Sequence, residues 1–122
     1  MNERNNDLRE RTTEFALRII RMYTKLPKTT EAQTIGKQVL RSGTSVGAQF
    51  HESQRAKSDA DFIHKLEGCL QEADETAYWL ELLVRSEIVS PEKLAPLRKE
   101  IDEIIAILVT IVTKVKKRIG KL

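Results

Sequence analysis

Apolar residues recur at alternating spacings of three and four along almost the whole chain, and that period belongs to the α-helix. Leu8, Thr12, Phe15, Ile19, Met22 and Leu26 make the first such stripe. Pro27 closes it, because a residue before proline avoids the helical region. Ala32, Ile35, Val39, Gly43, Val46 and Phe50 make the second, with Thr30 and Gln33 placed as a capping box at its start. Ser58, Asp59 and Asp61 open the third, whose core face reads Ile63, Leu66, Leu70, Ala73, Ala77, Leu80 and Val84. Ser90 and Pro91 are a cap and a first-position proline for the fourth, which runs through Leu94, Leu97, Ile101, Ile104, Leu108, Ile111 and Val115.

The expected elements are helices near 8–26, 30–56, 58–87 and 91–118 in one domain spanning 1–122, with residues 1–7 as a flexible tail that Asp7 ends as a cap. Five Gly and three Pro in 122 residues leave few breaks, so the segments between them are long. Short connections make sequential helices neighbours, and the spacing suits shallow crossing angles. The fold expected is all-α, an antiparallel up-down-up-down four-helix bundle. Gly36, Gly43 and Gly47 lie on or near the apolar face of the second helix, each costing about 1 kcal/mol against alanine. Close approach of a neighbouring backbone offsets that cost; a kink near Gly43 is the alternative.

Two stripes are wider than one core needs. Tyr78, Trp79, Leu82 and Leu83 broaden the third helix, and Ile105, Ile107, Val109 and Val112 the fourth. A helix apolar on every side is normally buried on every side. These eight residues are therefore the expected interface of a homo-oligomer; the alternative is a monomer with a wide core and Trp79 flat on its surface. The longest charge-free apolar stretch, Ile104–Thr113, is too short for a bilayer, which needs about 20 residues. With one cysteine and no apolar leader at the start, a reducing cytoplasm is the expected compartment.

Catalytic constellations are weak. Asp61 and His64 stand three apart, but a di-metal bundle needs a second such pair and two further carboxylates. Cys69 reads as a small buried hydrophobe. Ser42, Thr44 and Ser45 lack any surrounding phosphate loop or nucleophile elbow and should bond back to their own helix. No enzyme activity, metal or cofactor is expected. Glu72, Asp74, Glu75, Glu81 and Glu87 make the third helix acidic, for pairing with a neighbour.

The net charge of +3 permits an anionic partner. Candidate phosphate contacts are Lys37, Arg41, Arg55 and Lys57, together with Lys114, Lys116, Lys117 and Arg118 near the C-terminus. Cations at a helix C-terminus also simply balance its dipole. No aromatic platform for stacking bases is visible.

The segment Arg41-Ser42-Gly43-Thr44-Ser45-Val46-Gly47-Ala48-Gln49-Phe50-His51-Glu52-Ser53 carries a family signature. So do Asp61-Phe62-Ile63-His64-Lys65-Leu66 and Glu72-Ala73-Asp74-Glu75-Thr76-Ala77-Tyr78-Trp79-Leu80. Over roughly residues 8–118 the chain resembles the bacterial four-helix-bundle proteins encoded in 23S rRNA intervening sequences. That family also includes accessory proteins of diversity-generating retroelements. The resemblance implies a barrel-like homopentamer. For the retroelement branch it implies binding of nucleic acid and of a reverse transcriptase through basic surface. Arg41, Ser45, Glu52 and Arg55 match the signature, and a structural role is expected for them, with Arg41 or Arg55 pairing with acids such as Glu52 or Glu72. The function expected is a non-catalytic, oligomeric protein holding RNA or DNA backbone; the alternative is a scaffold or accessory subunit for another protein.

Overall fold

Hydroxyl side chains and prolines set the helix boundaries. In the computed structural model, which describes residues 3–122 and the side-chain surroundings from Asp7 onward, four helices follow one another. They are α1 (Glu3–Thr24), α2 (Thr30–Ser53), α3 (Asp59–Arg85) and α4 (Pro91–Arg118). Residues 25–29, 54–58 and 86–90 connect them, five each. Residues 3–7, expected as tail, are helical, so Asp7 lies inside α1 instead of capping it; residues 1 and 2 fall outside the described residues.

The cap of α2 is Thr29, not Thr30: its hydroxyl accepts the Ala32 N–H at 3.3 Å. Gln33 is used differently from a capping-box residue. Its Nε2 donates to the Pro27 carbonyl at 2.8 Å, and its Oε1 accepts the Tyr23 hydroxyl at 2.9 Å, tying the first connection to both helices. Ser58 caps α3 by accepting the Asp61 N–H at 3.1 Å. Ser90 precedes Pro91 at the start of α4 with no side-chain cap bond. Glu87, in the turn after α3, adopts φ 64°, a left-handed conformation that glycine would hold with less strain.

Each helix packs on two others: α1 on α2 and α4, and α3 on α2 and α4, making a closed four-sided bundle. Residue order shows how they pass. Gly36, Gly43 and Gly47 of α2 sit against Tyr23 and Leu26, Ile19 and Thr12 in turn, so numbering rises along α2 as it falls along α1. On the next side, Cys69 donates to the Val46 carbonyl at 3.2 Å, while Thr76 and Ser42 share a 2.9 Å hydrogen bond.

α2 runs unbroken through Gly43, so close approach, not a kink, accounts for its glycines. A Cβ at Gly47 would meet the Thr12 carbonyl oxygen at 3.3 Å, and one at Gly43 would meet Ile19 at 3.0 Å. Leucine at Gly47 must push α1 away, and an expected loss of about 1–3 kcal/mol is readable in urea melts. Alanine at Gly68 makes the contrast. Its Cβ would meet only the flexible amide end of Gln49, which can swing aside, so the variant gains up to about 1 kcal/mol of helix preference.

The core face of α3 is turned from the one expected. Cys69, Thr76 and Leu83 are fully buried, whereas Leu70, Ala77 and Val84 are half-buried around the core. A small group on α2 explains the turn. Gly43 and Gly47 face α1, but Ser42 faces α3, and the Ser42–Thr76 hydroxyl pair fixes which edge of α3 enters. Thr44 and Ser45 bond back to the carbonyls of Leu40 and Arg41 at 2.8 and 2.7 Å. Among the described residues, no buried side-chain nitrogen or oxygen lacks a hydrogen-bond partner.

Candidate nucleic-acid interface

The turn between α2 and α3 and the C-terminus of α4 meet at one end of the bundle. Arg118 Nη2 donates to Asp59 Oδ1 at 2.8 Å, and Lys116 Nζ to Glu67 Oε2 at 3.0 Å. Two basic segments that are distant in sequence, Arg55–Lys57 and Lys114–Lys121, therefore share this end. Arg55, Lys57, Lys114 and Lys117 are exposed and make no ion pair among the described residues. The pairs at Lys116 and Arg118 are partly or largely exposed and contribute little to stability. Arg9, missed in the sequence, joins the group: with His51, Glu52, Gln54 and Arg55 it lines a cleft of about 330 Å³.

Lys57 also has a backbone role. Its N–H donates to Asp61 Oδ2 at 3.1 Å, and Lys65 Nζ stands 3.3 Å from the same oxygen. The Lys57 amide first, and Lys65 with it, hold the Asp61 carboxyl below its ordinary range. Asp61 is thus occupied as a turn-closing group. Among the described residues no cluster of three or more His, Cys, Asp or Glu could hold a metal.

Lys37 and Arg41 lie elsewhere. Arg41 is 12 residues before Ser53 on α2, about 18 Å from that end. Its guanidinium bridges α2 to α3 by donating to Glu72 Oε2 at 3.1 Å and to Glu75 Oε1. Those partners, Glu75 foremost, raise the arginine's pKa. The same Glu75 oxygen accepts the Trp79 indole N–H at 3.1 Å. The indole first and Arg41 second hold the Glu75 carboxyl below its ordinary range. A group with a depressed folded-state pKa gives stability above its unfolded value and loses it as pH falls through the folded one. Fluorescence of Trp79, the one tryptophan, should therefore step at a pH below the ordinary glutamate range, and Glu75→Gln should abolish the step.

Cys69 is buried, and desolvation pushes its thiol up to about 12, far from the reactive range.

Two of the eight expected interface residues belong to the core instead. Leu83 is fully buried because the stripe of α3 is turned, and Val112 nearly so because it widens an α4 stripe that is otherwise the expected one. Trp79, Leu82, Ile105 and Ile107 are half-buried. Tyr78 and Val109 remain 53% and 46% exposed. Tyr78 lines the α3–α4 side with Arg98 and Asp102; Ile105 and Val109 continue the Arg98–Asp102 row along α4. Leu17 and Ile20, missed in the sequence, are 41% and 42% exposed on α1. They continue the row of Thr13, which contacts His51 of α2 at 3.4 Å. The two apolar strips thus lie on opposite sides of the bundle, one at α1–α2 and one at α3–α4.

The site is a basic end on an all-α helical bundle, and among the described residues no helix is long and apolar enough to cross a membrane. Residues 4–110 match the 23S rRNA-intervening sequence protein family. The chain belongs to that family. A solved structure from Bacteroides thetaiotaomicron, described as a protein of unknown function from the S23 ribosomal protein family, is 41% identical, with a TM-score of 0.85. The match covers 90% of this chain and 98% of that one. No curated protein matches the chain.

Proposed function

We propose that this chain is a non-catalytic, self-assembling protein that holds nucleic-acid backbone at the end of the bundle where α4 meets the α2–α3 turn. The convergence of Arg55 and Lys57 with Lys114, Lys117 and their neighbours carries this reading, anchored by the Arg118–Asp59 contact. Exposed lysines and arginines suit phosphates, and the one aromatic lining the cleft beside Lys57, Phe62, is half-buried, so binding is salt-sensitive and indifferent to sequence. The opposed order of neighbouring helices supports an antiparallel, up-down-up-down course.

Self-association multiplies this weak end by avidity. The two apolar strips are unlike and lie on opposite sides, so contact between copies is heterologous, and a heterologous contact that closes makes a ring. The pentamer that the family resemblance implies is one such ring. Its setting would be the cytoplasm, with RNA the first nucleic acid to try, given the family's place in 23S rRNA genes.

A mobility-shift titration of a short RNA duplex against salt tests the reading. Affinity should fall linearly in log–log form, by about 0.7–0.9 per phosphate neutralised. K57E/K117E should remove most of the binding. Absence of a shift at low salt, or a shift untouched by K57E/K117E, would overturn it.

A further inference from the structure

A second basic feature lies at the opposite end, where α1 finishes and α4 begins. The α1–α4 side is the thinnest of the four, and it opens there into a groove of about 780 Å³. Arg18 and Arg21 of α1, with Lys25 just past its end, line one wall, and Lys93 of α4 the other. A spacing of three puts Arg18 and Arg21 in one row on α1, and Lys25 follows directly after the last turn. The groove is lined by no carboxylate, and none of the four cations makes an ion pair among the described residues. Between the walls lie aliphatic groups, including Met22, Leu26, Ile88 and Leu97.

The placement of Lys93 is electrostatically wrong for stability. It stands in the first turn of α4, where the helix dipole is positive and a carboxylate would be favoured. Ser90 makes no side-chain cap bond, so Glu92, next to Lys93 in the same turn, is the one acid there that suits the dipole, and it does not line the groove. Arg21 and Lys25 at the end of α1 are accounted for by the opposite dipole, but Lys93 is not. Four like charges around an apolar floor repel one another unless something acidic lies between them.

We propose that this groove docks an acidic amphipathic helix of a partner protein. Aliphatic side chains of that helix would meet the floor, while its glutamates and aspartates would meet the two basic walls, a helix-in-groove mode. Nucleic acid fits less well. The groove offers no aromatic ring for stacking bases, and a duplex backbone gains nothing from an aliphatic floor. The surface is independent of the nucleic-acid end, so the two readings stand or fall separately.

The probe is a labelled helical peptide of about four turns, with leucines on one face and glutamates flanking them. Fluorescence anisotropy on the full chain should show saturable binding at low salt. The variant R18E/R21E should weaken it at least about tenfold, and K57E/K117E should leave it unchanged. R18Q/R21Q/K93Q, checked for helicity by circular dichroism, guards against misfolding and should also weaken binding. Four results would each overturn the proposal: no binding of the acidic peptide; equal binding of the same peptide with lysines for glutamates; displacement of the peptide by RNA; or loss of self-association in R18E/R21E, which would mean that a second copy fills the groove.

Discussion

Truncating Phe50 to alanine should cost about 3–5 kcal/mol. Phe50 and Phe15 head the largest wholly buried side chains, and Phe50 sits one turn beyond Val46 on the helix with the closest neighbours. Its ring lies on a face where Gly43 and Gly47 have drawn α1 in, so the backbone cannot collapse further to fill the void. The cavity term therefore adds in full to the lost transfer energy. For a domain whose whole stability is about 5–15 kcal/mol, that is a large fraction. The expected fall in melting temperature is roughly 10–20 °C. Leu122→Ala, at a position 70% exposed, should stay within about 0.5 kcal/mol of the parent and serves as the control. A loss at Phe50 no larger than the control would mean that the bundle's centre lies elsewhere.

A single glutamate on either apolar strip should break self-assembly. Val109→Glu places a charge on the α3–α4 strip and Leu17→Glu one on the α1–α2 strip, both at partly exposed positions where the protomer tolerates it. Each variant alone should run smaller than the parent assembly. Their mixture is more telling. If opposite strips pair, every copy of each variant still has one intact strip, and the mixture should form a dimer that neither forms alone. An isologous interface would give no such rescue, and circular dichroism confirms that both variants keep their helices.

The four helices were legible because a period of three and four is written in every stripe, and Pro27 and Pro91 punctuate it. The face of α3 was not. Leu70, Ala77 and Val84 look greasier than Cys69, Thr76 and Leu83 taken together, yet Ser42 of α2 admits the latter edge. That choice depends on Ser42 finding Thr76, a pairing 34 residues apart that no local pattern records. Leu83 joins the core for the same reason, whereas Val112 simply widens the expected stripe of α4. The cap at Thr29 was hidden by Thr30 beside it, since either hydroxyl fits the spacing.

The candidate surfaces were legible in parts. Arg55, Lys57 and the C-terminal cluster were visible as charges, but only the meeting of Arg118 with Asp59 joins them. Arg41 was expected both as a phosphate contact and as a partner for an acid such as Glu72; it does pair with Glu72, and with Glu75 besides, whose place beside it no local pattern records. Leu17 and Ile20 went unnoticed because each is a single apolar residue off the main stripe; exposure becomes informative only when the bundle sets them in a row. The groove between Arg18, Arg21, Lys25 and Lys93 joins the two ends of the sequence and has no local signature at all.

Apolar side chains left to water on two sides of a 14.0 kDa bundle are what the multivalent mechanism depends on. Light scattering coupled to size exclusion, on the unmodified chain in dilute neutral buffer, measures this directly. Self-assembly predicts one stable species at a multiple of 14.0 kDa that persists on dilution, whereas a single particle of 14.0 kDa would contradict it.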